Sequence, residues 1–380
     1  MLKKVVFAWL GFCAFSLAIE LKPVSAESLL FLNLGGKSLL NEPEVSEIFQ
    51  NSSLVYLKPR LENERWQIFA LTAGVISLAD FDFKLSENFS GFAKPSLLFA
   101  IAGDSMRVLG EDYDTYQYKA HRFGAETGLR YSFFGERKFL MLQGMIQSDF
   151  NFIYSRPGSA LFPMPESYQT HGIAFQLSGS RPPPPTELFE FGVFPLLYLA
   201  YTFRTNASEF SSSTQEKIAH SISSSAGLKV ALPFHPDFVG VGELQAAWVH
   251  KADRFNAIRG TSLRSRGLDL FFKDVKSDRV IGAELGVRYY LDAEKTFALR
   301  PFVFSALYNQ LLLPTETAKK ALISGGLKLM GRYGPRIIYD AVYALGYGNR
   351  ADLGLQHEIR FNVGIRLFGT PPPRQRPKDI

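Results

Sequence analysis

The sequence predicts an all-β fold, a transmembrane antiparallel β-barrel of about sixteen strands, with twelve to fourteen as the alternative count. Three observations favour this fold. Apolar residues recur at every second position, no uncharged stretch after the leader reaches the ~20 residues of a spanning helix, and long and short connections alternate. A closed barrel is the other structure that satisfies its backbone hydrogen bonds inside a bilayer.

The amino-terminal segment is predicted to be a signal peptide, residues 1–26. Lys3 and Lys4 precede an uncharged run over 5–19, and Val24-Ser25-Ala26 is a small-residue cleavage site. We expect the barrel to occupy 27–368 and a Pro-rich, disordered periplasmic tail to occupy 369–380.

Composition excludes several classes of function. The only cysteine, Cys13, lies in the leader, so we expect no disulfide and no cysteine-based metal site in the mature chain. The formal net charge of +6 is too mild and too evenly spread to indicate nucleic-acid binding. No cofactor is expected. An aromatic load of 34 Phe and 16 Tyr favours sheet structure.

The period-two pattern is clearest over 281–291, where Ile281, Ala283, Leu285, Val287, Tyr289 and Leu291 alternate with Gly282, Glu284, Gly286 and Arg288. It recurs over 123–133, 221–232 and 358–367. A soluble sandwich alternates too, but these segments run for ten residues or more and place Gly, Ser and charges on the second face. A water-filled or plugged lumen requires such a face.

The lengths of the connections between the expected strands provide an independent observation. We expect strands at 28–34, 53–59, 65–74, 78–86, 95–102, 120–134, 138–154, 171–178, 188–204, 221–233, 237–250, 279–291, 297–310, 321–333, 335–348 and 356–368. The connections then alternate between mostly long ones, expected outside the cell, and mostly short ones, expected in the periplasm. The third and fourth strands break the rule, because few residues separate them.

Charged residues on the second face allow two interpretations. Near the carboxyl end, five basic and three acidic residues fall at the alternate positions that face the predicted lumen: Lys328, Arg332, Arg336, Arg360, Arg366, Asp340, Glu358 and Glu284. The face is either a charge ladder that solvates the wall or a basic wall with a weak anion preference.

No catalytic constellation is apparent, and the sequence predicts that the protein is not an enzyme. The six histidines show no metal-ligand spacing. An outer-membrane hydrolase would need a histidine and a serine or aspartate brought together on adjacent strands or loops. His171 beside Thr170, and His220 beside Ser221, are poor dyads because sequence neighbours on a strand point to opposite faces.

The carboxy-terminal quarter resembles the barrel of the bacterial surface antigen superfamily, the outer-membrane assembly factors and two-partner secretion translocators, without their POTRA domains. The likeness is carried by Ile258-Arg259-Gly260 in the longest loop, Gly282-Ala283-Glu284-Leu285 in the next strand, Pro301–Ser305 in the one after, and the turn Gly331–Pro335. The last strand, Glu358–Phe368, is similar to the closing strand of the family.

The resemblance implies two sets of site residues. Ile258, Arg259 and Gly260 would fold into the lumen as a plug, with Arg259 paired to Glu284 through two parallel hydrogen bonds. In the last strand, the residues implied as an insertion signal are Ile359, Phe361, Val363, Ile365, Leu367 and Phe368. The alternative is that Arg259 is a solvated loop arginine and Glu284 one of several lumen charges.

The resulting prediction is a bacterial outer-membrane barrel that scaffolds or passes polypeptide or lipid. Its expected partners are outer-membrane lipid, the barrel-assembly machinery during insertion, and a periplasmic partner or polypeptide client. A passive diffusion porin is the alternative hypothesis, and an outer-membrane hydrolase is the third.

Overall fold

The computed structural model of the chain describes residues 29–39, 46–48, 53–62, 66–73, 76–102, 107–108, 111–112, 119–133, 140–155, 167–179, 192–205, 219–252, 257–259, 276–313, 316–334, 336–348 and 355–368. The predicted signal peptide and the predicted tail lie outside these ranges. None of the described residues forms a helix long and apolar enough to cross a membrane.

All regular structure in the described ranges is β-strand. The strands are β1 (Leu29–Leu39), β2 (Ser46–Ile48), β3 (Ser53–Glu62), β4 (Trp66–Ala73), β5 (Ile76–Lys84), β6 (Phe89–Ala102), β7 (Arg107–Val108), β8 (Glu111–Asp112), β9 (Lys119–Ser132), β10 (Leu140–Ser155), β11 (Tyr168–Gly179), β12 (Gly192–Arg204), β13 (His220–His235), β14 (Phe238–His250), β15 (Ile258–Arg259), β16 (Lys276–Tyr290), β17 (Phe297–Leu313), β18 (Glu316–Tyr333), β19 (Ile337–Gly348) and β20 (Leu355–Phe368).

Sixteen of the strands within the described part of the chain have eight residues or more, and each of these pairs antiparallel with the next one along the chain. The first also pairs with the last. β1 pairs with β20 over ten residue pairs, from Leu30 opposite Phe368 to Leu39 opposite Glu358. The ladder of hydrogen bonds therefore returns to its start, as the predicted antiparallel barrel requires.

The short strands lie in the connections. β2 pairs with β1, β7 pairs with β8, and β15 pairs with the first residues of β16. The strand ends that flank the long connections, among them 103–118, 156–167 and 251–275, share one end of the barrel, which we call the loop end. The opposite end, the turn end, holds the two-residue turn between β13 and β14. Connections that depart from this trend include 180–191, whose flanking strand ends lie at the turn end, and 314–315, whose flanking strand ends lie at the loop end. The trend itself is typical of outer-membrane barrels, whose turns are periplasmic and whose loops are extracellular.

Several strands begin earlier than the sequence predicts. β6 begins at Phe89 instead of 95, and β18 begins at Glu316 instead of 321. Pro95 lies inside β6, opposite Ala125 of β9, although it has no amide hydrogen for the ladder. The β5 ladder is interrupted there, with pairs at Leu78–Ser96 and Phe81–Ala93 but none between them. A proline is tolerated at such an irregularity.

The distribution of side chains is inverted relative to a soluble protein. Leu285, Val303 and Leu307 are 70%, 60% and 62% exposed, whereas Glu284 and Arg300 are 3% and 2% exposed. Large apolar side chains on alternate positions cover the outer surface, and the inner surface combines buried charged and polar side chains with buried apolar clusters. Burying charge while exposing leucine is favourable only when the outer surface contacts hydrocarbon.

Aromatic side chains mark two levels on the outer surface. At the turn end, Phe238 stacks on Tyr289 with ring centroids 4.7 Å apart. Trp248 lies ten residues further along β14 on the same face. Ten residues span about 33 Å of strand, or about 25 Å along the barrel axis at a tilt of ~40°. That height matches the apolar band of an outer-membrane barrel.

The turn between β16 and β17 is organised by Asp292. Its carboxylate accepts hydrogen bonds from Thr296 Oγ1 at 2.6 Å, Thr296 N at 2.9 Å and Phe297 N at 2.7 Å. Desolvation alone would raise the pKa of Asp292, but these hydrogen bonds outweigh it, so the pKa lies below its ordinary value of 3.8. The carboxylate therefore stabilises this turn in its ionised form.

Candidate functional site

Glu284 lies on the inner face of β16, as its parity predicts, and forms a buried ion pair with Arg300 of β17. Both side chains are 3% exposed. In the register Glu284 is opposite Phe304, and Arg300 lies on the same inner face four residues nearer the Asp292 turn, so the long arginine side chain reaches Glu284 diagonally. Removing one member of a buried ion pair is strongly destabilising, because the charge that stays behind loses its closest compensation.

The pair of Arg259 with Glu284 stays a prediction, and the backbone register separates the two residues along the wall. Arg259 lies opposite Lys276, eight residues from Glu284 along β16. Eight residues of strand correspond to about 27 Å, several times the reach of an arginine side chain. The side chain of Arg259 and all of Gly260 lie outside the described residues. The partner that the structure gives Glu284 is Arg300.

Ile258, the first residue of the predicted plug, contacts the inner surface. It packs against the inner-wall cluster, which we define as Val280, Phe304, Ala306, Tyr308 and Leu322. These five residues lie on β16, β17 and β18, and none of them is more than 7% exposed. The start of the plug segment is therefore attached to the wall near the loop end by an apolar contact.

A second charged cluster lies on the inner surface of β5, β6, β9 and β10. Arg130 is 7% exposed; it pairs with Asp82, lies 3.3 Å from Asp80 Oδ1, and donates from Nε to Gln143 Oε1 at 2.9 Å. Its guanidinium carbon lies 4.0 Å from the ring centroid of Phe92. The planar cation is thus held by two carboxylates, an amide and an aromatic face.

A small polar cavity opens on the inner surface of β9 to β13, towards the loop end. It has a volume of about 200 Å³, and Arg122 and Arg204 are among its lining residues. Arg122 Nη2 is 2.6 Å from Asp149 Oδ2, and Arg204 faces the ring of Tyr168 at 6.0 Å. The rest of the lining consists of Asn151, Val249 and four hydroxyl residues, Thr170, Thr202, Ser221 and Ser223.

The carboxyl-end wall carries alternating charges, as the ladder interpretation predicts. Lys328 Nζ lies 3.5 Å from Asp340 Oδ2, and Asn362 Nδ2 lies 3.3 Å from Asp340 Oδ1. Glu358 is 1% exposed, whereas Arg336 is exposed. Neighbouring charges of opposite sign reduce the field of either one, so this arrangement favours the charge ladder over an anion-selective wall.

The predicted insertion-signal residues belong to β20. Ile359 and Phe361 point outward and are 41% and 38% exposed, whereas Glu358 between β19 and β1 points inward. Val363 and Ile365 are half-buried. The side chains of Leu367 and Phe368 lie outside the described ones. β20 thus presents alternate apolar side chains to the outer surface.

Five of the six histidines lie on the outer surface near the loop end of their strands: His121, His171, His220, His250 and His357. One of them meets a serine that the sequence did not indicate. Ser148 Oγ is 2.9 Å from His171 Nδ1, and Gln169 Oε1 is 3.2 Å from His171 Nε2. Within the described ranges, no cluster of three or more His, Cys, Asp or Glu could hold a metal ion.

Sequence reasoning missed Arg300, Arg130 with its two aspartates, and the Ser148–His171 contact. Parity alone places Asp80, Asp82 and Arg130 on the inner face, but their meeting depends on registers across β5, β6 and β9. The Ser148–His171 contact was detectable only from a cross-strand pairing, in which these residues are directly opposite.

The fold and the inverted polarity define the class of protein as a bacterial outer-membrane β-barrel. No family model matches the chain, and no curated protein matches it. Among solved structures, the fold is similar to that of BamA from Haemophilus ducreyi lacking POTRA domains 1–3, with 11% identity, a TM-score of 0.56, and coverage of 90% of this chain and 70% of that one.

It is also similar to CdiB from Acinetobacter baumannii, with 9% identity and a TM-score of 0.52. That alignment covers 89% of this chain and 60% of the CdiB chain, so the chain spans less than two thirds of that relative. Both are members of the surface antigen superfamily whose barrel the sequence resembles. At this level of identity the likeness concerns the fold.

Proposed function

We propose that this chain is an outer-membrane barrel with an occluded lumen that scaffolds or passes polypeptide or lipid, as a relative of the surface-antigen barrels. The connection 251–275, with Ile258, Arg259 and Gly260, acts as the plug. A periplasmic partner or polypeptide client delivers or receives what passes. The proposal does not require an ion pair between Arg259 and Glu284.

The observation that carries the proposal is the low solvent exposure of aromatic side chains on the inner wall. Phe302 and Phe304 point inward from β17, yet each is 5% exposed, and Tyr308 is 7% exposed. In a wide water-filled pore, inward side chains face solvent and are mostly polar. The contact of Ile258 with the inner-wall cluster supports occlusion from the loop end.

Single-channel recording in planar bilayers tests the proposal. We expect small, flickering conductance from the full chain and a larger, steadier conductance when residues 260–275 are deleted. Deletion of 206–218, in the connection between β12 and β13, is the matched control and should leave the conductance small. In addition, Arg259→Ala separates the role of that arginine from the role of the loop: unchanged conductance would mean that the arginine does not anchor the plug.

A passive diffusion porin remains the alternative, and one observation favours it. The seam between β1 and β20 contains ten residue pairs, which gives a continuous wall with no short junction. A porin should conduct steadily, and its conductance should not depend on residues 260–275. That result would overturn the occluded-lumen proposal.

The hydrolase hypothesis is favoured by the chain Ser148–His171–Gln169 on the outer surface. It ranks third because β10 is paired with both β9 and β11 around Ser148. The backbone amides near Ser148 are therefore engaged in the sheet and are not available to stabilise an oxyanion. A fluorophosphonate probe that labels the full chain but not Ser148→Ala would establish a reactive serine. Equal labelling of the two would exclude Ser148 as the nucleophile.

A further inference from the structure

The outer surface of β10 to β14 is indented by an apolar groove. Its volume is about 510 Å³, within the usual range of small-molecule sites. Ala226 and Ala246 are opposite each other in the register, and Leu197 is opposite Ala226, so small side chains form a floor beside larger ones. Phe175, Leu199 and Trp248 contribute to the lining.

Polar aromatic residues lie directly beyond the groove, towards the loop end; we call Tyr201, His220 and His250 the cap. Tyr201 Oη is 2.6 Å from His220 Nδ1, and the His220 ring also lies 5.2 Å from that of Phe203. His250 lies 5.7 Å from Trp248, ring to ring. In the register, His250 is opposite Ile222, which itself is opposite Tyr201.

The depth of the cap follows from the aromatic levels described above. Trp248 lies at the upper edge of the apolar band, and His250 is two residues further along the same face of β14. Two residues advance about 7 Å along the strand. The cap is therefore at the level of lipid headgroups, while the groove is at the level of acyl chains.

The cap has the chemistry of a phosphate site. When the Tyr201 phenol donates to His220 Nδ1, the Nε2 atom of His220 carries the proton and can donate to a ligand oxygen. Lys251 follows His250 at the end of β14, where the backbone turns with φ 56°, and its side chain is exposed. A phosphate monoester carries more negative charge than the phosphodiester of a zwitterionic headgroup, so imidazole donors favour the monoester.

We propose that the groove and the cap form one binding site for a phosphate-bearing membrane lipid, with an acyl chain in the groove and an anionic phosphate group at His220 and His250. The occupant is a lipid because this face lies in hydrocarbon, and because the apolar and polar parts follow one another in the order of an amphiphile crossing the interface. This site is on the outer wall and is independent of passage through the lumen.

The three tryptophans of the chain allow a direct test. With Trp9→Phe and Trp66→Phe, Trp248 is the only tryptophan, and it lines the groove. The full chain is reconstituted in phosphatidylcholine vesicles containing brominated phosphatidic acid, or in the converse mixture with brominated phosphatidylcholine. Quenching of Trp248 then reports which lipid occupies the groove. We expect about a tenfold preference for phosphatidic acid, equivalent to one net charge-assisted hydrogen bond.

His220→Gln combined with His250→Gln should abolish the preference while leaving quenching by total brominated lipid unchanged. His235→Gln is the matched control, because His235 lies at the turn end of β13, and should retain the preference. Ala226→Phe, which fills the floor, should reduce quenching, whereas Ala283→Phe on β16 should not. Each variant is first shown to be folded by its heat-modifiable migration.

Two results would overturn the proposal. Equal quenching by both lipids in the tryptophan-reduced parent would mean that the outer surface is merely solvated by bulk lipid. Absence of quenching by either lipid would mean that protein, such as a second copy of this chain, covers the groove.

Discussion

Leu285 and Glu284 are adjacent in the sequence, yet the first is 70% exposed and the second 3%. At the scale of the residue, this contrast indicates that the outer surface of the barrel contacts hydrocarbon. The alternation was readable from the sequence because side chains on a strand point to opposite faces at every step. The face of Glu284 was therefore predicted correctly.

The partner of Glu284 was not predictable in the same way. Its contact with Arg300 depends on how far β17 slides along β16, and the turn centred on Asp292 determines that register. Parity assigns a residue to a face but not to a height on the strand. A partner 16 residues away on the next strand was therefore overlooked in favour of a loop arginine.

Replacing Leu285 tests the solvent on the outer surface. Leu285 is opposite Val303, near the middle of the band. Leu285→Arg should lower the free energy of unfolding by ~2–4 kcal/mol, because a charge at that depth contacts hydrocarbon. Urea unfolding in lipid vesicles measures the change. Arg279→Leu, on the same face near the loop end of β16, should cause a much smaller one. A neutral Leu285→Arg would contradict the membrane assignment.

Asp292 predicts a pH dependence in the acid range. Since its folded-state pKa is lowered, the unfolded chain binds the proton more readily, so the stabilisation is complete above 3.8 and is lost as the pH falls through the lower folded-state value. Asp292→Asn should cost ~1 kcal/mol at neutral pH and flatten this dependence. Unfolding midpoints across the acid range measure it. Glu294→Gln, in the same turn, serves as control and should retain the wild-type slope.

At the scale of the element, β17 is a strand in which the alternation of apolar and polar residues does not distinguish the inner face from the outer one. Val303 and Leu307 point outward, while Phe302 and Phe304 point inward, so both faces are apolar. The sequence predicted the strand but gave no indication that its inner face is dry. That property arises because Phe304 packs in one cluster with Val280 and Leu322, and Phe302 in another with Val342 and Ala344, contacts that only the assembled sheet brings together.

Arg300 is the test of how β16 and β17 depend on each other. Arg300→Met should lower the free energy of unfolding by ~3–5 kcal/mol, because it removes the guanidinium that pairs with the buried carboxylate of Glu284. Adding Glu284→Gln should recover most of the loss. Chemical unfolding of the refolded barrel measures both. Arg279→Met removes an exposed arginine 3.6 Å from Asp278 and should cost no more than ~1 kcal/mol. Equal losses for the single and double variants would show that the pair is not coupled.

At the scale of the whole molecule, the antiparallel order of the strands and the outer-membrane class were predictable, because length, periodicity and connection lengths all agree on them. The least accurate boundaries were those in the first hundred residues. β1 continues to Leu39, five residues beyond the predicted end, because Gly35, Gly36 and Lys37 pair with β20. A glycine-rich stretch has little strand propensity of its own, so pairing decides its structure.

Cysteine cross-linking tests the junction of the first and last strands in a chain whose own cysteine lies in the predicted leader. Leu34 and Val363 are directly opposite, so Leu34→Cys with Val363→Cys should form a disulfide on oxidation, visible as altered gel migration. Leu34→Cys with Phe361→Cys, displaced by two residues, should cross-link poorly, because such diagonal pairs are ~7–8 Å apart. Equal cross-linking of both pairs would contradict this register.

The meeting of residues 30 and 368 has a consequence for biogenesis. While the polypeptide is still emerging from the ribosome, or if a protease shortens it, fifteen or fewer long strands leave two edges with unsatisfied amides and carbonyls, and such edges recruit other chains. Nearly the entire polypeptide must therefore be kept apart from its neighbours until translation is complete. Holding factors that delay collapse would protect it better than those that accelerate early pairing.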